Sequence, residues 1–400
     1  MRILDISPLF PYPLFDGGRK GIYYPLRSLV RRGHAIHLAC LMEKEDPASV
    51  RRLEEIFTVT AVVSPRTPTP MGALTSVPRR TPYQVSRFHN AELLQKARGL
   101  LHSARFDILQ VEGMQAAWYA LLLGPEFNIP TVMRHHDVLS LNMARAAEHA
   151  GDPFRRLWLR YDVRRVRAYE RSSSAGIGSN LMISEIERDL VLRAQPGARC
   201  DVVPAGVDLD EFTPLQVAED PRSVLWLGAL HWAPNRNSFW WFYNDIVPEI
   251  VKRHPDVRIR VAGTGAPPDI LAVRHPNVEI LGFVPEVRQL MALSQVCVVP
   301  LKVGSGVRIK LLEMFAMRRA VVSTAVGAEG LGVKDGEQAL IADSPGSFAD
   351  RVALLLDDSA LRERLGRCAR EHVERHFSWD MIAEKYEAVY RSLLEGLNSN

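Results

Sequence analysis

Short apolar, β-branched runs alternate with stretches of helical period along most of the chain. That alternation predicts an α/β fold in which parallel strands are covered on both faces by helices. Ile3–Ile6 reads as a first strand, followed by a Gly-rich turn at Asp16, Gly17 and Gly18, a helix to about Arg32, and a second strand over Ala35–Leu41. Ile108–Val111, Thr131–Arg134 and Leu181–Ile183 continue this series, which makes one doubly wound unit. A second series starts beyond Val203–Asp208, with strands expected at Val224–Leu227, Arg258–Ala262, Val278–Leu281, Val296–Pro300 and Ala320–Ser323. The intervening stretch carries Pro204, Pro214 and Pro221 and reads as a hinge. The expected division is therefore a domain over 1–204, a second over 205–377, and a last helix over 378–400. Ser378 is a natural cap for that helix, which spaces Ile382, Tyr386, Val389, Tyr390, Leu393 and Leu397 along one apolar face.

Composition narrows the function. At 400 residues, 47% hydrophobic and 24% charged, the chain can bury two cores of ordinary size. Its net charge of +4, from 50 basic and 46 acidic residues, is too balanced for a nucleic-acid protein, so nucleic acid is excluded as a partner. Cys40, Cys200, Cys297 and Cys368 are far apart and form no metal or disulfide pattern, which fits a reducing cytoplasm. The opening Met-Arg-Ile-Leu-Asp-Ile-Ser is too short an apolar run for a signal peptide, and no run long enough to span a membrane follows. The expected location is the cytoplasm, with the inner face of the membrane open to peripheral contact.

The richest segment is Pro300-Leu-Lys-Val-Gly-Ser-Gly-Val-Arg-Ile-Lys-Leu-Leu-Glu, which leaves a strand, turns at Gly304, Ser305 and Gly306, and enters a helix. A helix start presents N–H groups and the positive end of the dipole, and glycines let a phosphate come close. Arg308 and Lys310 add full charges, and Glu313, three residues after Lys310, is placed to accept hydrogen bonds from ribose hydroxyls. The pattern outlines a nucleoside diphosphate; the bland reading is a surface pair of Lys310 with Glu313.

Four other stretches are candidates for chemistry. Gly17 and Gly18, after the first strand, serve either as plain turn residues or as a phosphate or sugar contact. Arg134-His135-His136-Asp137 follows a strand, but adjacent side chains diverge and no further ligand stands at a metal-site spacing. Asp208-Leu-Asp210 superficially resembles an acid-x-acid metal site but reads as turn and helix-start chemistry; with the helix start, Arg308 and Lys310 to neutralise phosphate charge, no metal and no cofactor is expected. Arg156, Arg160, Arg164, Arg167 and Arg171 fall on one helical face with Trp158, Tyr161 and Tyr169 interleaved. This stripe is either a solvated arginine face or a site for anionic lipid headgroups or a lipid-diphosphate acceptor, which Arg79 and Arg80 would extend.

The 300–317 segment resembles the donor-binding motif of family 4 glycosyltransferases, retaining enzymes of the two-domain GT-B fold. Val202-Val-Pro-Ala-Gly-Val-Asp resembles that family's interdomain segment, and Leu227-Gly-Ala-Leu-His-Trp-Ala-Pro-Asn its donor-domain opening. Val261-Ala-Gly-Thr-Gly, Leu281-Gly-Phe-Val-Pro-Glu and Thr324-Ala-Val-Gly-Ala-Glu-Gly-Leu resemble its later loops. Ser305 stands where the family commonly has the first of two acids, and Ala229 and Pro234 where it has an arginine and a lysine. The form with Arg308 and Lys310, together with Arg79-Arg-Thr-Pro-Tyr and His231-Trp-Ala-Pro-Asn, is similar to sugar transferases of bacterial exopolysaccharide clusters.

The resemblance implies two Rossmann-like domains facing a cleft, with the acceptor domain first and the final helix returning to it. It implies a nucleotide-sugar donor held by Gly17, Gly18, Gly228, Asn235, Gly263, Gly265, Phe283, Val284, Gly304, Ser305, Gly306, Val307 and Glu313. His136 would orient the donor sugar while Arg308 and Lys310 stabilise the departing diphosphate. The acceptor would be a saccharide or lipid-linked saccharide. An epimerase or hydrolase of the same fold, and a nucleotide-sugar-binding protein without activity, are the alternatives.

Overall fold

The computed structural model describes residues 1–65, 76, 81–148, 152–304 and 306–398, so Arg79, Arg80 and Ser305 lie outside the described residues. The chain folds as two compact units, one of Met1–Leu14, Gly18–Pro204 and Ile382–Asn400, the other of Phe15–Gly17 and Ala205–Met381.

The first unit is built on a seven-stranded sheet of order β3-β2-β1-β4-β5-β6-β7. Its strands are β1 (Arg2–Ser7), β2 (Ala35–Met42), β3 (Thr58–Val63), β4 (Ile108–Glu112), β5 (Thr131–Arg134), β6 (Ser179–Met182) and β7 (Cys200–Val202), all parallel. Leu4, Ile6, Leu41, Leu109, Val111, Tyr119 and Met133 form its core. Each such side chain contributes roughly 1.5–3 kcal/mol by leaving water.

Pattern reading misses β3 and the three-residue β7, which are sheet edges with half-exposed faces. It also sets β6 two residues late. Ser179 and Asn180 are polar yet buried, because Ser179 Oγ donates to Asp201 and Asn180 Nδ2 to the Ser174 and Arg199 carbonyls. Gly17 and Gly18 are the first turn of the Gly17–Arg31 helix rather than a separate turn before it. The terminal helix, Trp379–Asn398, buries Ile382, Tyr386 and Tyr390 in this unit from Ile382 onward. Arg32 holds Glu387 at 2.8 Å.

The second unit has a six-stranded parallel sheet of order β10-β9-β8-β11-β12-β13. These strands are β8 (Asp220–Leu227), β9 (Arg258–Ala262), β10 (Val278–Gly282), β11 (Ser294–Val299), β12 (Val321–Ser323) and β13 (Leu340–Ile341). Val224, Trp226, Phe239, Val261, Val298 and Phe348 centre one of its cores. Pro221 lies inside β8 rather than in a linker. The register against β11 shifts there and Arg222 takes a φ of 54°, an irregularity that lets a residue without an N–H sit in a central strand.

Candidate functional site

In the second unit the carboxyl end of β8 meets Lys310. Gly228 N–H donates to the Ala262 carbonyl, and Gly263 N–H to that of Gly282, which ties together the ends of β8, β9 and β10. The approach is so close that a Cβ on Gly263 would lie 1.7 Å from the Gly228 carbonyl oxygen, so only glycine fits. Gly265 meets the His231 ring in the same way, at 2.6 Å. Asn235, buried, donates through Nδ2 to the Ala229 carbonyl and turns Oδ1 toward Lys310 Nζ at 3.4 Å. The ammonium of Lys310 itself donates to the Leu227 carbonyl at 2.6 Å and sits 5.1 Å from the Trp226 ring centre.

Above this cluster, Gly304 and Gly306 carry the chain from β11 to the Ile309–Ala316 helix, Gly306 at a φ of 84° that a side chain resists. A Cβ on Gly304 would touch the Arg308 guanidinium at 2.9 Å, so the turn and Arg308 pack against each other. Arg308 is the N-cap residue of the helix and is buried, as is Glu313. Burial, reinforced by the Arg308 charge, pushes the Lys310 ammonium down to about 7. Lys310 therefore faces a backbone carbonyl and an amide, not the surface pair with Glu313 that spacing allowed. Val307 packs on the core beneath, and on the loop after β10 Phe283 is exposed while Val284 is half-buried.

In the first unit His136 follows β5, and its Nε2 lies 2.6 Å from the carboxylate of Glu112 at the end of β4. Glu112 also accepts from Arg134 at 3.2 Å and from Gln110 at 3.1 Å. Gln110 Nε2 donates to Asp5 at 2.7 Å, and Tyr390 of the terminal helix donates its hydroxyl to Gln110 Oε1 at 2.5 Å. Arg134 also donates to the Gly21 carbonyl. Pairing follows from register, since Asp5 stands opposite Gln110, and Glu112 opposite Arg134. His135 points away, its Nε2 3.2 Å from Asn180, and burial pushes its imidazole down to about 4, which makes it a neutral core residue.

Elsewhere in this unit, Asp152 caps the Pro153–Ala175 helix, on which Arg160, Arg164, Arg167 and Arg171 are exposed and Arg156 is half-buried. Phe154 and Leu157 are 84% and 69% exposed beside them, with Trp158 and Tyr161 also at the surface. Tyr169, read as part of this face, instead packs against the core. Asp208 accepts the N–H groups of Asp210 and Glu211, a turn as expected. Among the described residues no group of three or more histidine, cysteine or carboxylate side chains is placed to hold a metal ion, and no helix is long and apolar enough to cross a membrane.

Comparison with known proteins decides what these two sheets belong to. Residues 15–211 match the model for "Glycosyltransferase Family 4", and residues 221–358 the model for "Glycosyl transferases group 1". The chain belongs to the family 4 glycosyltransferases. Relatives of this glycosyltransferase include a D-inositol 3-phosphate glycosyltransferase of Corynebacterium diphtheriae, 26% identical over 98% of this chain and 93% of the relative. An uncharacterised 44.6 kDa protein of the Klebsiella pneumoniae cps region is 23% identical over 88% of this chain and 90% of its own length. HepE from Anabaena, solved with UDP, superposes with a TM-score of 0.69 at 15% identity over 98% of this chain and all of its own, which shows the GT-B fold.

Of the residues singled out from sequence in this glycosyltransferase, the structure clusters Gly228, Asn235, Gly263, Gly265, Gly304, Gly306, Arg308 and Lys310. Sequence reading missed the partners of His136, namely Glu112, Gln110, Asp5 and Tyr390. The available signal was polar residues inside two otherwise apolar strands, Ile3-Leu-Asp-Ile and Ile108-Leu-Gln-Val-Glu. Nothing in the sequence marked the Leu227 carbonyl as the resting partner of Lys310.

Proposed function

We propose that this glycosyltransferase is a retaining enzyme that transfers a sugar from a nucleoside-diphosphate sugar to a saccharide or lipid-linked acceptor in bacterial surface-polysaccharide assembly. The observation that carries this reading is the inward-held Lys310 beside Arg308 at the head of the 309–316 helix. Neighbouring cations at a helix start favour a departing diphosphate over the intact donor, which is the requirement for catalysis rather than binding alone. Support for the donor class comes from HepE, whose structures hold UDP and UDP-glucose, and support for the setting from the relative in a cps region.

In the reaction, the bond from the sugar's anomeric carbon to the diphosphate oxygen breaks and a bond to the acceptor oxygen forms on the same face. The acceptor proton passes to the departing diphosphate. Arg308 and Lys310 carry the charge in place of a metal ion, Glu313 anchors the ribose and His136 orients the sugar, with no further cofactor. The exposed Phe154, Leu157, Trp158 and Tyr161 beside Arg160, Arg164 and Arg167 suit a cytoplasmic enzyme resting on the anionic inner face of a membrane, where a lipid-linked acceptor lies.

The test incubates the purified protein with a panel of nucleotide sugars, with and without bacterial lipid extract, following nucleoside diphosphate release, product mass and anomeric configuration. Acceptor-dependent release with a product heavier by one sugar, its anomeric configuration kept, is expected. Acceptor-independent conversion would instead identify an epimerase or hydrolase.

A further inference from the structure

We propose that Glu112 is a positioning residue for the transfer reaction: it fixes His136 as the tautomer protonated on Nε2, leaving Nδ1 to accept a hydrogen bond from substrate. The inference rests on the reading that His136 meets the donor sugar, and it adds the residue that decides how.

A carboxylate only accepts, so the 2.6 Å contact with Glu112 places the ring proton on Nε2. Gly113, which follows Glu112, faces the Cδ2 side of the ring: a Cβ there would stand 3.6 Å from Cδ2. With Nε2 engaged by Glu112, Nδ1 is the ring nitrogen left for a substrate, on a side chain that is 28% exposed. A neutral ring held this way offers a lone pair to a sugar hydroxyl.

The charge on Glu112 follows from its surroundings. Asp5 and Glu112 are both fully enclosed with the Arg134 guanidinium against them, and the hydroxyls of Tyr386 and Tyr390 face the same space. Burial and the neighbouring Glu112 push the Asp5 carboxyl well above its usual range, so it keeps its proton. Burial opposes ionisation of Glu112 as well, but Arg134 and His136 outweigh it and hold that carboxyl below its usual range. The network therefore keeps one negative charge, on the carboxylate that touches His136. Gln110 bridges the two acids and is itself held by Tyr390, so the terminal helix braces the arrangement.

Two measurements test this on the full-length protein. Long-range proton–nitrogen correlation on protein labelled with ¹⁵N-histidine, with the His136 signals assigned by their loss in His136→Asn, reads the tautomer without any substrate. The proton is expected on Nε2 with Nδ1 bare at pH 8; a proton on Nδ1 overturns the proposal even if no variant folds. Glu112→Gln, in which Asp5 can ionise to pair with Arg134, is expected to lose the single tautomer and to lower kcat about 10–100-fold with donor KM within about threefold, roughly the contribution of an oriented polar group in a reaction centre. Unchanged kcat and an unchanged tautomer in that variant overturn the proposal while leaving the transferase reading intact. Absence of sugar transfer by the native protein, with His136 on the expected tautomer, overturns the transferase reading instead.

Discussion

In the first unit the buried cation at the strand ends, Arg134, lies 3.2 Å from Glu112, whereas in the second unit Lys310 lies against the Leu227 carbonyl and feels the positive Arg308. The electrostatics separate accordingly. Glu112 raises the Arg134 guanidinium despite its burial, while burial and Arg308 lower Lys310 to about 7. One sheet end is thus electrostatically complete within the folded chain and acts by holding a neighbour still. The other keeps positive charge at a cost that a bound anion would offset, which suits a site for a diphosphate.

Arg134→Met should break this contrast most severely. It leaves Glu112 enclosed without its cation and is expected to cost about 3–5 kcal/mol of unfolding free energy, read from urea denaturation. A variant as stable as the native protein would mean that Glu112 is not held as an anion there.

Lys310→Met should do the reverse. It removes a desolvated ammonium and keeps the volume, so the fold is expected to persist while turnover falls about 10²–10³-fold, the range seen when one electrostatic contact to a reacting oxyanion is lost. The pH behaviour has a definite sign. The folded protein releases the Lys310 proton near 7, whereas the unfolded chain keeps it to about 10.4. Native stability contributed by this group therefore rises with pH across that window and is lost as pH falls through about 7. A diphosphate favours the charged form, so binding at pH 8 is expected to take up close to one proton, measured by calorimetry in buffers of different ionisation enthalpy. Zero uptake would show that Lys310 is already charged, or that the anion binds elsewhere.

The same contrast governs how much was legible in the sequence. The second site was readable because it is local: Gly304, Gly306, Arg308, Lys310 and Glu313 fall within one strand–turn–helix passage whose glycines and charges advertise an anion. Gly228 and Gly263 were found from their own loops, although only the fold shows that their backbones touch. The first site is assembled from Asp5, Gln110, Glu112, Arg134, His136 and Tyr390, brought together by sheet register and a helix more than 250 residues downstream of Gln110. The sequence marked His136, in one motif with Arg134. Each of the others looks, in its own stretch, like an isolated polar residue in an apolar strand or another core tyrosine. The core strands were readable from periodicity, but edge strands β3, β7 and β13 were not, because short or half-exposed strands carry too little alternation.

The smallest expected effect comes from Asp5→Asn, and it asks which acid of the first site carries the charge. An amide imitates the protonated carboxyl, since its oxygen still accepts from Gln110 and its NH₂ can donate toward Glu112. At pH 4 the substitution is expected to change unfolding free energy by less than about 1 kcal/mol, an exchange of one neutral hydrogen-bonding group for another. As pH rises the folded protein retains the Asp5 proton while the unfolded chain, with an ordinary carboxyl near 3.9, releases it, so native stability falls and the asparagine variant gains on it. Denaturation at pH 4 and pH 7 reads the difference. A loss of several kcal/mol in the variant at pH 7 would show Asp5 to be the anion that pairs with Arg134, and would leave Glu112 as the protonated member, able to donate to His136 and reverse its tautomer.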